Sequence, residues 1–246
     1  MQHTVADVMA AVVDNSDPGS RWGALTTGLQ ALGLDQINYA FLDFATYDRM
    51  DARGDPAMST MRGDWLQYYA DQRYDMQDEV VAHVRAGRFD PRFYRLDSAH
   101  DFRRRVMAEE AMQAGLKAGL LVPLPGPWGD AAPAAGIVLG SSLKAAEVAR
   151  LTSELAPDLI ALSHILHAGM TGDLLRRRWG LSPLSPRERD VLQLSGRGLR
   201  VCQIADRLTL AEVTVQLYLR NARRRLKART LAEAVAKAII LQQIEP

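Results

Sequence analysis

The chain has 246 residues, enough for one large domain or for two smaller ones that each bury a core. A hydrophobic share of 48% beside 24% charged residues excludes a disordered or fibrous chain. The net charge of +1 hides a division, because residues 180–246 hold 12 Lys and Arg against 6 Asp and Glu while residues 1–179 hold 18 against 23. Charge alone leaves two readings of the basic end, a module with an anionic partner or a solvated basic face.

Val5, Val8, Met9 and Val12 have helical spacing. Asp7 and Asp14 in the same stretch, with no basic start, do not fit a signal peptide. DPGS turns the chain into a second helix over 20–32, closed by Gly33. INYAFLDF, with Ile37, Tyr39, Phe41 and then Phe44, reads as a strand. Helices are predicted to begin at Asp64 and near Asp78, and a longer one over 98–114. LLVPLP and AAGIVLG read as strands on either side of PGPWGDAAP, and 143–167 returns to helical spacing. The order α-α-β-β-α-α-β-α-β-β-α predicts an α+β fold, an α/β/α sandwich whose antiparallel sheet lies between helices. No apolar run approaches the ~18 residues of a membrane span.

WLQYYADQRYDMQDEVV is the most informative stretch of this half. Trp65 and Tyr69 share one helix face, and Asp78 follows nine residues after Tyr69. By residue type alone these are packing aromatics and an Asp that caps the helix EVVAHV.

The helix over 143–167 is expected to stop at Gly169, leaving a linker over 169–183. Ser185-Pro186-Arg187-Glu188 is a capping box with Pro at the first helical position, and Thr230-Leu231-Ala232-Glu233 is another. Between them, Gly198 and the pair Thr209-Leu210 divide three short helices, so four are expected over 184–246. Small Ala205, ten residues before Val215, suits the close helix crossing of a helix-turn-helix, and Cys202 reads as a small core residue of that scaffold. A single cysteine excludes an internal disulfide and fits a reducing, cytoplasmic compartment. In VTVQLYLRNARRRLKA, Val215, Leu219, Ala222 and Leu226 form one apolar stripe. Gln216, Leu217, Arg220, Asn221 and Arg224 lie opposite, with Arg223, Arg225 and Lys227 on the flanks. In a major groove Arg220 suits guanine, Gln216 adenine and Leu217 a thymine methyl, while the flanking Arg223 and Arg225 suit phosphates. The competing reading is an arginine-rich solvated helix of a bundle.

LSPRERDVLQLSGRGLRVCQIADRLTLAEVTVQLYLRNARRRLKARTLAEAV resembles the LuxR-type helix-turn-helix, with Glu188, Leu192, Gly198, Ile204-Ala205 and Thr214-Val215 at the family's characteristic positions. It departs at Gln216, often Lys or Arg, and at Tyr218, usually His. The W-x3-Y-x8-D pattern of Trp65, Tyr69 and Asp78, with Gly115-Leu116-Lys117-Ala118-Gly119, resembles the acyl-homoserine-lactone-binding domain of quorum-sensing regulators of that family. The resemblance implies that Trp65 donates its indole N–H to a lactone carbonyl, that Asp78 accepts the ligand amide N–H and that Tyr69 walls the pocket. Met61 stands where the family often has a Tyr that bonds the acyl carbonyl, and Phe93-Tyr94 where it has a further Trp, which adds Met61 and Phe93 to the expected pocket. It further implies a non-enzymatic transcription factor without metal or other cofactor, ligand-binding over 1–168 and DNA-binding over 184–246. Such a protein would bind a palindromic double-stranded operator as a homodimer, held mostly through 1–168 and partly by Leu231, Val235 and Ala238. The same resemblance admits a regulator that answers a non-lactone ligand, or one that traps a related regulator in a heterodimer.

Overall fold

The computed structural model describes residues 4–41, 57–98, 102–126 and 133–245. Phe44 and the turn PGPWGDAAP lie wholly or partly outside the described residues. The chain forms two compact units, Met1–Met170 and Thr171–Pro246.

In the first unit, Thr4 and Asp7 exchange the two bonds of a capping box that starts α1 (Val5–Asp14). Val5, Val8 and Val12 bury one face of it. Asp17 caps α2 (Pro18–Ala31), and Gly28 of α2 gives the Val8 side chain room to approach the backbone. Then follow β1 (Gln36–Phe41), β2 (Ala57–Ser59), α3 (Gly63–Asp71), α4 (Glu79–Arg85), β3 (Arg92–Arg95) and α5 (Phe102–Gln113). β4 (Ala118–Pro125), β5 (Pro133–Ser141) and α6 (Ala145–Arg178) complete the order expected from the sequence. The strands pair antiparallel in the order β2-β1-β5-β4-β3.

Side chains alternate along each strand, and directly paired residues share a face. Ile37, Tyr39, Leu120, Val122, Ile137 and Leu139 are buried on one face. There the Tyr39 hydroxyl meets His167 Nδ1 of α6 at 2.9 Å. Asn38, Ala40, Leu121 and Val138 lie on the other face, where Leu121 and Val138 pack with Val84 of α4. The sheet is therefore layered between helices.

α6 does not stop at Gly169. It runs through Gly169 and Gly172 to Arg178. Both glycines serve close approach instead: a Cβ at Gly169 would strike the Arg21 guanidinium, which donates to the Gly169 carbonyl, and one at Gly172 would strike the Leu241 carbonyl. The extended stretch is shorter than 169–183, and the division between the units falls inside the helix. No helix among the described residues is long and apolar enough to cross a membrane.

The second unit holds α7 (Pro186–Gly196), α8 (Val201–Leu208), α9 (Glu212–Arg225) and α10 (Leu231–Ile240). Ser185 and Glu188 make the reciprocal capping bonds, and Thr230 accepts from the Glu233 N–H. Thr209, at φ 55°, turns α8 into α9. Val191, Leu194, Ile204, Ala205 and Val215 form the shared core. Cys202 is exposed rather than a core residue, because Val201, Ile204, Ala205 and Leu208 set the inward face of α8 and Cys202 lies ~110° around the helix from its centre. Ala238 is likewise fully buried within α10, so it packs inside its own unit and is unavailable to a second copy.

His167 joins three elements, since its Nε2 lies 2.8 Å from the Pro125 carbonyl at the end of β4. A carbonyl only accepts, so Nε2 carries the proton and Nδ1 accepts from Tyr39. Burial pulls the His167 pKa from 6.5 down to about 4. Between those values the unfolded chain takes up a proton that the folded chain refuses. Stability present above pH 6.5 is therefore lost as the pH falls to about 4, by about 3 kcal/mol. Thermal melts should show His167→Gln less acid-sensitive than the wild type across this window; equal sensitivity would assign the loss to other groups.

Candidate ligand cavity and groove-reading helix

A cavity of about 440 Å³ lies between the Asn38 face of the sheet and α3, α4 and α5, within the ~300–1,000 Å³ usual for small-molecule sites. Val80, Val84, Leu121 and Val138 give it apolar walls. Four of the residues expected from the sequence, Met61, Trp65, Tyr69 and Asp78, line it. Phe93 does not. It pairs with Leu120, on the face turned away from the cavity, and its neighbour Tyr94 lines the cavity instead.

Asp78 does two things at once. Its Oδ1 accepts the Val80 N–H at 2.7 Å, which caps α4, and its Oδ2 accepts the Tyr69 hydroxyl at 2.9 Å. Burial raises its pKa, opposed by those bonds. Each carboxylate oxygen has a second lone pair. Trp65 packs with Tyr68, Tyr69 and Tyr74 at centroid distances of 6.1–6.3 Å. Tyr74 is in turn tied to Glu110 at 2.6 Å. Asp75 also lines the cavity but is taken by Arg85 at 3.0 Å and Arg73 at 3.4 Å.

Tyr94 lies over two facing glycines. A Cβ at Gly119 would come within 2.8 Å of its hydroxyl, and Gly119 pairs with Gly140. The two glycines, one on β4 and one on β5, thus make room for the Tyr94 hydroxyl. The Tyr94 hydroxyl is buried with no hydrogen-bond partner among the described residues. Burial, and then the Asp78 charge, push its pKa well up.

Sequence reading missed Asn38, Ser59 and Tyr94 as cavity residues. Asn38 had a signal: in INYAF it is the polar residue between two inward apolar ones, so it had to emerge on the opposite face. For Tyr94 the choice between two adjacent aromatics depends on strand register.

On α9, Val215, Ala222 and Leu226 are fully buried and Leu219 partly so. Gln216, Leu217, Arg220 and Arg224 are exposed, while Asn221 and Arg223 are half-exposed. None of the three arginines 220, 223 and 224 is in an ion pair among the described residues. Arg225 is different. Its Nε lies 2.9 Å from Glu188 and its Nη1 donates to the Pro183 carbonyl at 3.0 Å, so the expected phosphate ligand already has work inside the unit.

The family model described as "Autoinducer binding domain" matches residues 18–170, more than half of the chain, and that described as "Bacterial regulatory proteins, luxR family" matches residues 182–238. The chain belongs to the LuxR-type regulators. The transcriptional activator protein RaiR of Rhizobium etli is 32% identical over 178 residues, 72% of each chain. Among solved structures, the N-acylhomoserine-lactone-dependent LuxR family factor CepR2 of Burkholderia cenocepacia shares the fold at TM-score 0.56 and 17% identity, over 72% of this chain and 96% of its own. SdiA in complex with octanoyl-rac-glycerol shares it at TM-score 0.52 and 16% identity, over 100% of both. This LuxR-type regulator is a transcriptional regulator and not an enzyme. It has an autoinducer-binding domain for a small molecule and binds DNA through its helix-turn-helix domain.

Glu188 is buried, and losing Arg225 removes its paired cation and leaves the carboxylate held by the Ser185 N–H at 2.7 Å. Arg225 is itself 40% exposed, which screens the pair, so Arg225→Ala should cost the second unit of the regulator about 1–3 kcal/mol rather than the larger loss of a fully buried pair. Arg225→Lys should restore part of it. Chemical denaturation of the regulator carrying each change measures this, and unchanged stability in Arg225→Ala would free the side chain for phosphate.

Proposed function

We propose that this regulator holds an N-acyl-homoserine lactone in the cavity of the first unit and, as a cytoplasmic homodimer, reads a palindromic operator with α9. The observation that carries the first half is the setting of Asp78: a carboxylate in an apolar cavity, kept in place by Tyr69 and by the α4 N-terminus, with lone pairs to spare. A buried carboxylate needs donors and a ligand amide needs an acceptor. The Trp65 indole N–H then meets the lactone carbonyl, and the acyl chain lies along Val80, Val84, Leu121 and Val138. CepR2 is described as N-acylhomoserine-lactone dependent, which supports the ligand class.

A second reading, an acyl glycerol in the same cavity, draws on Met61. Its thioether gives an acyl carbonyl no hydroxyl donor, and SdiA has been solved with octanoyl-rac-glycerol. A glycerol hydroxyl satisfies Asp78 as an amide N–H does.

The second half rests on α9, whose buried stripe leaves Gln216, Leu217, Arg220, Asn221 and Arg224 facing outward. In a helix-turn-helix dimer two such helices enter major grooves one helical turn apart. Arg220 reads guanine and Arg223 reaches sideways to phosphate.

Ligand binding to the folded state alone should stabilise the first unit by roughly 3 kcal/mol at a hundredfold excess over the dissociation constant. Asp78→Ala should abolish that gain while the second unit still melts cooperatively; a gain equal to wild type would remove Asp78 from the site. On DNA, Arg220→Ala should cost roughly 1–3 kcal/mol at the cognate operator and little on random sequence. Arg223→Ala should weaken both alike and reduce the salt slope by about one. Equal losses on both DNAs for Arg220→Ala would mean that α9 grips backbone only. A wild type that binds no DNA with or without ligand would favour a heterodimer trap.

A further inference from the structure

Six of the nine residues of α3, among them Trp65, Leu66, Gln67 and Tyr69, line the cavity, and none of the nine is buried. A helix of a packed core buries one face. α3 is instead a wall one helix thick, with the cavity on its inner side and water on its outer side. Its ends are lightly held. Arg62 at the N-cap makes no side-chain capping bond, and a Cβ at Gly63 would meet nothing within 4 Å. Just beyond the other end, Arg73 stands at φ 54°, a left-handed conformation that its Cβ disfavours. The chain thus turns freely at one end of α3 and sheds strain by turning at the other.

Two phenols tie α3 to its surroundings. Tyr68 donates to Glu110 of α5 at 3.3 Å, and Tyr69 donates to Asp78 at 2.9 Å. The rings of Trp65, Tyr68 and Tyr69 also rest against Tyr74, at centroid distances of 6.0–6.3 Å. Each carboxylate has a second donor that does not travel with the helix. Glu110 keeps the Tyr74 hydroxyl at 2.6 Å, and Asp78 keeps the Val80 N–H at 2.7 Å. Lifting α3 exchanges two phenol bonds for bonds to water and leaves neither carboxylate without a donor. A carboxylate stripped of its last donor would cost far more. These ties are built to open and close.

We infer that α3 is the movable wall of the cavity, which swings outward about Gly63 and Arg73 to admit and release an acyl ligand, with Tyr68 on Glu110 as its latch. What passes the wall rests on the reading of the cavity as an acyl-ligand site; the movement itself does not.

The test uses the full-length regulator and two probes, decanoyl-homoserine lactone and 1-decanoyl-glycerol. Neither Tyr68 nor Glu110 lines the cavity, so Tyr68→Phe releases the latch without touching a bound ligand. Stopped-flow tryptophan fluorescence should show association and dissociation both roughly threefold faster in that variant, as losing one exposed hydrogen bond from the closed state gives. The dissociation constant should not change, because the closed wall is weakened alike with and without ligand. Gly63→Ala, which has room for its methyl and stiffens the hinge, should slow both rates. In ligand-free protein, amide exchange in α3 should run ahead of that in α4, and Tyr68→Phe should quicken α3 alone. Rates unmoved by both variants, or a change confined to dissociation, overturn the inference and leave the ligand reading intact. Binding of neither probe, with α3 exchange still governed by Tyr68, would sink the acyl-ligand reading and leave the moving wall in place. Exchange in α3 no faster than in α4 and indifferent to Tyr68→Phe overturns the inference whatever binds.

Discussion

The period of two along the strands is the constraint on which the ligand-binding unit depends. Ile37 and Tyr39 bury on the α6 side, which obliges Asn38 and Ala40 to face the cavity. Leu120 and Val122 bury likewise, and Leu121 is turned to the cavity beside Val138. A slip of one residue in any pairing would exchange the two faces and put Phe93 where Tyr94 lies. The relay from Tyr39 through His167 to Pro125 ties the register of β1 and β4 to α6 by two buried hydrogen bonds. Each would leave an unsatisfied polar group if the strand slipped, and that costs more than the bond is worth.

The cavity is held open by side chains that are busy elsewhere. Asp78 caps α4 and receives Tyr69; Tyr74 and Tyr68 are braced on Glu110; Asp75 is paired with Arg85. These contacts preorganise the wall without using up its polarity, because the carboxylate of Asp78, the hydroxyl of Tyr94 and the amide of Asn38 keep unused capacity. A packed core would not tolerate three such groups together. A ligand cavity does.

The helical unit follows a different logic. One apolar cluster of its core comes from α7, α8 and α9, and the buried Glu188 that completes the α7 capping box also takes Arg225 from α9. One carboxylate thereby joins the start of the first helix to the end of the third. The arginines at 220, 223 and 224 have no ion-pair partner among the described residues, which is the arrangement that an anionic partner requires.

Much of this was determined by the sequence alone. The element order, the capping boxes at Ser185 and Thr230 and the α9 stripe follow from short-range rules of period, capping and spacing, which act within a few residues, while the set Met61, Trp65, Tyr69 and Asp78 was legible only through the resemblance of its motif to a known family. The tertiary structure decided what depends on partners far along the chain. Gly169 stops a helix by local rules, yet Arg21, distant in sequence, fills the space above it and the helix continues. Ala238 carries a methyl small enough for a surface stripe or a core, and only the packing of α10 left it within. Arg225 reads as a free cation until Glu188 is brought beside it. Phe93 and Tyr94 are adjacent aromatics of similar size, and the pairing of β3 with β4, a contact between chain segments some 25 residues apart, chose which of them lines the cavity.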